Sequence, residues 1–173
     1  MHLNFLKNYL NSLKKLKYLG APKFIGKIEN ENIVNLGYRW YKMSDISECK
    51  KLEILTVHNC SDMELFISQI IKLKKLHELK FFRISSSTFP KSDEGTTVKE
   101  LEFTYCPKLE NIEELASNFP DVTKLKFDHC RNIQDYSPLN KLEKLQELYI
   151  FESAPITDLS FLENMKNLKL IKI

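Results

Sequence analysis

Glycine and proline are scarce, at 4 and 6 among 173 residues. A chain this poor in glycine has no glycine-rich loop to cradle a phosphate, which excludes P-loop and dinucleotide-binding readings. It also has too little of either residue for flexible linkers, so one domain over residues 1–173 is expected. Arginine is scarcer still, at 3 residues against 23 lysines. The net charge of +3 is spread along the chain and offers no concentrated basic face, so no nucleic-acid partner is expected. No apolar run approaches the ~18 residues that cross a bilayer, so no membrane partner is expected either. Met1 to Leu19 interleaves apolar residues with Asn and Lys, unlike a signal peptide. The expected compartment is therefore the cytoplasm, where Asn59-Cys60-Ser61 is idle as a glycosylation acceptor. The lysine bias, with frequent Asn and Ile, fits an AT-rich bacterial genome. Cys49, Cys60, Cys106 and Cys130 are too few for a disulfide scaffold in a chain this long.

What the chain does have is a repeat. Six segments share the pattern apolar-x-x-apolar-x-apolar: Leu52 to Val57, Leu76 to Phe81, Val98 to Phe103, Val122 to Phe127, Leu145 to Ile150 and Leu168 to Ile173. Their starts are 24, 22, 24, 23 and 23 residues apart. Looser copies begin at Leu16 and Ile33. Cys60, Cys106, Cys130 and Ser153 fall at one shared position after the pattern, and Met63, Leu109, Ile133 and Ile156 at another. The alternation around the second and third apolar positions makes a short strand with one buried face. No single copy can bury that face alone, so stacked neighbours must supply the core. Ser61-Asp62 is placed to cap a helix with Met63, Phe66, Ile70 and Leu73 on one face. Leu3, Leu6, Leu10 and Leu13 predict an N-terminal helical cap over residues 1–15, leaving 16–173 for repeats. Ser85 to Thr97 lacks periodicity and is expected as an open outer loop.

These segments resemble the leucine-rich repeat family, with its Leu-x-x-Leu-x-Leu-x-x-Asn/Cys signature, over essentially the whole chain. Asn132-Ile133 through Leu139 and Ile156 through Leu162 look like short bacterial repeats of the internalin kind, with Cys or Ser in place of the usual asparagine ladder. The resemblance implies an α/β fold: a curved leucine-rich repeat solenoid with a parallel concave sheet of about eight short strands. It also implies non-enzymatic protein binding through that face. A stand-alone chain of this size further resembles repeat-type immunity proteins, which implies a cytoplasmic protein that binds and neutralises a cognate toxin. A scaffold, adaptor or effector-like role is the alternative.

Two thiol–imidazole neighbours, His58 with Cys60 and His129 with Cys130, invite a nucleophile or zinc reading. The repeat register separates them, with thiols turning inward and imidazoles outward. The thiols are read as structural, and no catalytic residue, metal site or cofactor is expected. Cys106 and Cys130, on adjacent repeats, could geometrically form a disulfide but are expected to stay reduced in the cytoplasm.

The outward strand positions carry the stronger signal. They collect aromatics among charges, the make-up of a binding hot spot with a polar rim. The expected partner-binding residues are Arg39, Trp40, His58, Phe82, Arg83, Tyr105, Asp128, Tyr149, Phe151 and Glu152. Two anchors are expected, one around Trp40, Phe82 and Tyr105 and one around Tyr149 and Phe151. The terminal strand, with Leu168, Ile171 and Ile173, is expected to expose an unpaired edge open to self-association.

Overall fold

The computed structural model describes residues 10, 12–21, 27–40 and 45–173. Among them, eight parallel strands lie in sequence order in one open, curved sheet. They are β1 (Tyr18–Ala21), β2 (Asn35–Arg39), β3 (Ile54–His58), β4 (Glu78–Phe82), β5 (Glu100–Thr104), β6 (Lys124–Asp128), β7 (Glu147–Phe151) and β8 (Leu170–Lys172). The two loose copies form strands as the six regular ones do. Pairing keeps the repeat register throughout, so Leu36, Leu55, Leu79, Leu101, Leu125, Leu148 and Ile171 form one column. Tyr38, Val57, Phe81, Phe103, Phe127 and Ile150 form the next. From Leu36 to Ile150 both columns are buried.

Strand spacing of ~4.8 Å sets like rings almost in stacking contact. Phe81 lies 5.3 Å from Phe103 with the planes 6° apart, and Phe103 lies 5.2 Å from Phe127 at 10°. This ring stack runs up the centre of the solenoid.

The return segments vary in form. Helix α1 (Met63–Ile70) starts where Asp62 Oδ1 accepts the Leu65 N–H at 3.0 Å. Met63, Phe66, Ile67 and Ile70 are buried on its inner face, and Leu73, expected on that face, is buried in the turn that follows. Helix α2 (Leu115–Asn118) is a single turn, and Ser137–Lys141 and Ser160–Asn164 are 3-10 turns. In both 3-10 turns an aspartate two residues upstream, Asp135 or Asp158, accepts the serine N–H at 2.8 Å. A shared local sequence thus gives a shared local cap.

Segment 85–97 has no helix or strand, as its sequence predicts, but it is not simply open. Phe89 is buried and packs edge-on to Phe81, Phe103 and Phe119 at 6.2, 5.7 and 5.9 Å. Asn118 Nδ2 donates to Pro90 O at 2.7 Å, and Thr96 N donates to Asn118 O at 2.8 Å. Gly95 lets this segment pass Pro120, whose Cγ would lie 2.3 Å from any added Cβ.

The expected N-terminal helical cap falls mostly outside the described residues. Within them, buried Asn30 donates from Nδ2 to Leu10 O at 2.8 Å and Leu13 O at 3.1 Å, tying that segment to the second repeat. At the other end Leu159, Ile171 and Ile173 are exposed.

Candidate functional site

A backbone kink repeated at the ends of successive strands builds the site. Asn59, Arg83, Tyr105, His129 and Glu152 all have left-handed backbones, with φ of 56°, 58°, 51°, 56° and 46°. For a residue with a Cβ this costs roughly 1–2 kcal/mol, less for Asn. The kink stops the strand alternation, so two consecutive side chains point outward and the next turns in. Their N–H groups still ladder across the rungs: Asn59 to Phe82 O at 2.9 Å, Arg83 to Thr104 O at 3.1 Å, Tyr105 to Asp128 O at 2.9 Å and His129 to Phe151 O at 3.0 Å.

Trp40, expected to project as an anchor, does not. It holds the matching position after β2 but has no left-handed backbone. Strand alternation therefore continues through Leu36, Tyr38 and Trp40 on one face, and the indole is 2% exposed. It packs edge-on to Phe66 at 4.9 Å and Tyr38 at 6.4 Å. Trp40 belongs to the core under α1, and its assignment to the binding face is corrected.

The other expected residues lie on the outer side of the sheet. His58, Phe82 and Tyr105 form a row with ring centroids 5.3 and 5.8 Å apart. The row continues from Tyr105 to His129, stacked at 4.3 Å, a residue absent from the expected set. Arg83 lies over the Phe82 ring at 5.4 Å. Tyr149 and Phe151 sit 6.0 Å apart on β7, and Lys126 Nζ is 6.0 Å from the Phe151 ring. Arg39 is exposed; the Asn59 side-chain oxygen, in the amide orientation that satisfies both groups, accepts from its Nε at 3.2 Å and Nη2 at 3.1 Å. Glu152 is exposed, and its backbone oxygen accepts from Arg131 Nε at 3.4 Å.

Below the aromatic row, charges on the sheet are paired across or along strands. Lys124 meets Glu100 at 3.3 Å, Lys80 meets Glu78 at 2.5 Å, and Lys126 meets Glu102 at 3.0 Å and Asp128 at 3.1 Å. Asp128 also contacts His129 Nδ1 at 2.6 Å. Burial works to raise the Asp128 pKa, but the His129 and Lys126 hydrogen bonds outweigh it and hold the carboxyl below its ordinary range. Burial, with Arg39 nearby, lowers the His58 pKa, which favours the neutral imidazole.

An open cleft of about 520 Å³ lies where β3 to β6 end. Asn59, Arg83, Tyr105 and His129 line it from the kinked column, and Lys108 and Arg131 from the turns beyond. Lys108 and Arg131 fall outside the strand pattern, so the repeat gives no reason to single them out. The signal that could have found the cleft is arginine scarcity, since two of the chain's 3 arginines line it.

The thiols are buried and unpaired as disulfides. Each finds a backbone carbonyl: Cys49 Sγ donates to Ile28 O at 3.5 Å, Cys60 to Asp62 O at 3.8 Å, Cys106 to Thr104 O at 3.5 Å and Cys130 to Phe103 O at 3.6 Å. Burial pushes Cys49 up to about 12 and Cys60 higher still. The hydrogen bond with Cys106, and then burial, push Cys130 up as well. Cys49, Cys60 and Cys130 are thereby poor nucleophiles at neutral pH, while the hydrogen bond with Cys130 holds Cys106 below its ordinary value. Among the described residues no group of three or more His, Cys, Asp or Glu could hold a metal ion, and no helix is long and apolar enough to cross a membrane.

No family model matches the sequence. Among solved structures, the chain is similar to an internalin from Listeria monocytogenes at 14% identity and a TM-score of 0.44. The match covers 95% of this chain and 63% of that one, so the chain spans less than two thirds of the internalin's length.

Proposed function

We propose that the chain is a single non-catalytic domain that binds another protein through the outer side of β3 to β7. One observation carries this reading: the half-exposed row His58, Phe82, Tyr105 and His129, followed by Tyr149 and Phe151, held on a hydrogen-bonded sheet. Side chains fixed on strands lose little freedom on binding, so more of the contact energy remains as affinity. Aromatic rings in such a setting are the usual anchors, and the paired charges beside them suit a rim. A cytoplasmic, immunity-type protein whose partner is a cognate toxin is one form of this reading, resting on an architectural resemblance of short repeat solenoids to such proteins. A scaffold or adaptor is the other.

Affinity capture from the native source, using the chain as bait, tests it. Phe82→Ala and Phe151→Ala should each weaken capture by ~2 kcal/mol or more, about 30-fold, while thermal unfolding barely moves. Wild-type capture by both variants would overturn the reading, as would unfolding of both. Mass spectrometry of the captured partner separates toxin from scaffold client.

A further inference from the structure

Three arginines serve the whole chain, and all three cluster at the C-terminal ends of the strands. Arg83 and Arg131 line the cleft beyond β3 to β6, and Arg39 is held by Asn59 on its border. Lys108 completes the cationic lining, and no acidic side chain lines it. Elsewhere on the sheet Lys80, Lys124 and Lys126 have carboxylate partners, as do Lys141 with Glu113 and Lys144 with Asp121 on the outer turns. Arg83, Lys108 and Arg131 have none among the described residues. The lysines of β4 and β6 are paired, whereas the cleft beyond these strands keeps three cations with no carboxylate partner among the described residues.

The left-handed kink that recurs after β3 to β7 is what gathers the lining side chains. Arg83, Tyr105 and His129 occupy left-handed positions that glycine would fill without cost. The kink, which also occurs at Asn59 and at Glu152 outside the lining, sets a guanidinium, a phenol and an imidazole around one hollow. Tyr105 stacked on His129 gives that hollow a flat aromatic wall, and Arg83 is steadied over Phe82.

We propose that the cleft is an acid-binding subsite that takes Asp or Glu side chains of the protein partner. This rests on the reading that the sheet binds a protein, and it names the chemistry of one part of that partner. Guanidinium groups offer paired donors that match a carboxylate, and two of them with one ammonium suit one or two carboxylates. The aromatic wall suits an apolar residue beside those acids. The occupant favoured is a short acidic stretch of protein rather than a nucleic acid. A polyanion backbone needs a continuous basic stripe, and the sheet beside the cleft is already charge-paired.

Fluorescence anisotropy of the whole chain tests this, with a labelled peptide of mixed glutamate and phenylalanine as probe. A peptide with lysine for glutamate and a ten-nucleotide oligothymidylate are the comparisons. The glutamate peptide should bind, the lysine peptide should not, and added salt should weaken binding. Arg83→Gly, Lys108→Ala and Arg131→Ala combined should raise Kd at least tenfold, while Lys74→Ala should not. Glycine at position 83 suits the left-handed backbone, so circular dichroism should show the triple variant folded. An unchanged Kd in that folded variant overturns the subsite, as does absence of glutamate-peptide binding or equal binding of oligothymidylate. If the peptide fails while partner capture still depends on Phe82 and Phe151, only the subsite is wrong. If the peptide binds through the cleft but capture ignores those rings, the subsite stands and the aromatic-anchor reading falls.

Discussion

The buried thiols at the inward turn after β3, β5 and β6 do a packing job that a small, weakly polar side chain suits. Ser153 does the same job in the seventh repeat, where its hydroxyl donates to Phe151 O at 3.0 Å and accepts from Cys130 N at 3.2 Å. That site is half-buried, whereas Cys106 and Cys130 are sealed. Cys130→Ser should therefore lower stability by about 1–3 kcal/mol, the cost of a poorly satisfied buried hydroxyl, and Cys130→Ala by less. Thiol titration of the native chain near pH 8 should be slow until denaturant is added. Rapid labelling of all four cysteines would show the thiols to be accessible instead. The thiol column was legible because Cys60, Cys106 and Cys130 keep one place in the repeat. The inward turn of Trp40 was not. Only a backbone angle separates it from Tyr105 at the matching position, and neither residue carries a left-handed preference that sequence could reveal.

At the scale of elements, what marks α1 in the sequence is physical and local: an acceptor at Asp62 and apolar residues at helical spacing. Segment 85–97 offers no such marks, so the role of Phe89 could not be read from the chain. Its ring packs among Phe81 of β4, Phe103 of β5 and Phe119 just after α2, contacts that come together only in the fold. One buried ring and a few hydrogen bonds hold an otherwise irregular segment close to the cleft's Ser85. Phe89→Ala should cost about 3–5 kcal/mol, the range for deleting a buried phenyl ring. The same change should open residues 85–97 to protease while leaving the solenoid cleavage-resistant at temperatures where it stays folded. A stability change under 1 kcal/mol would mean the loop is not anchored through this ring.

At the scale of the molecule, among the described residues every strand pairs only with its sequence neighbours, so stability passes from rung to rung. The rungs are not equal. β4, β5 and β6 share the stacked phenylalanines, and Phe89 adds a further buried ring against those of β4 and β5. β8 has three residues, with Ile171 37% exposed and Lys172 exposed. Local opening free energy follows buried apolar contact, so hydrogen exchange should grade along the solenoid. Amides of β4 to β6 should exchange only through opening close to global unfolding, and those of β8 should exchange orders of magnitude faster. Most of the cleft and the centre of the aromatic row, Phe82 to His129, fall on the rungs of β4 to β6. This placement suits recognition, because a surface that stays ordered before binding gives up little entropy when a partner arrives. Uniform protection from β1 to β8 would mean that the solenoid unfolds as one unit. Fast exchange in β4 to β6 would remove the rigid platform on which the binding reading depends.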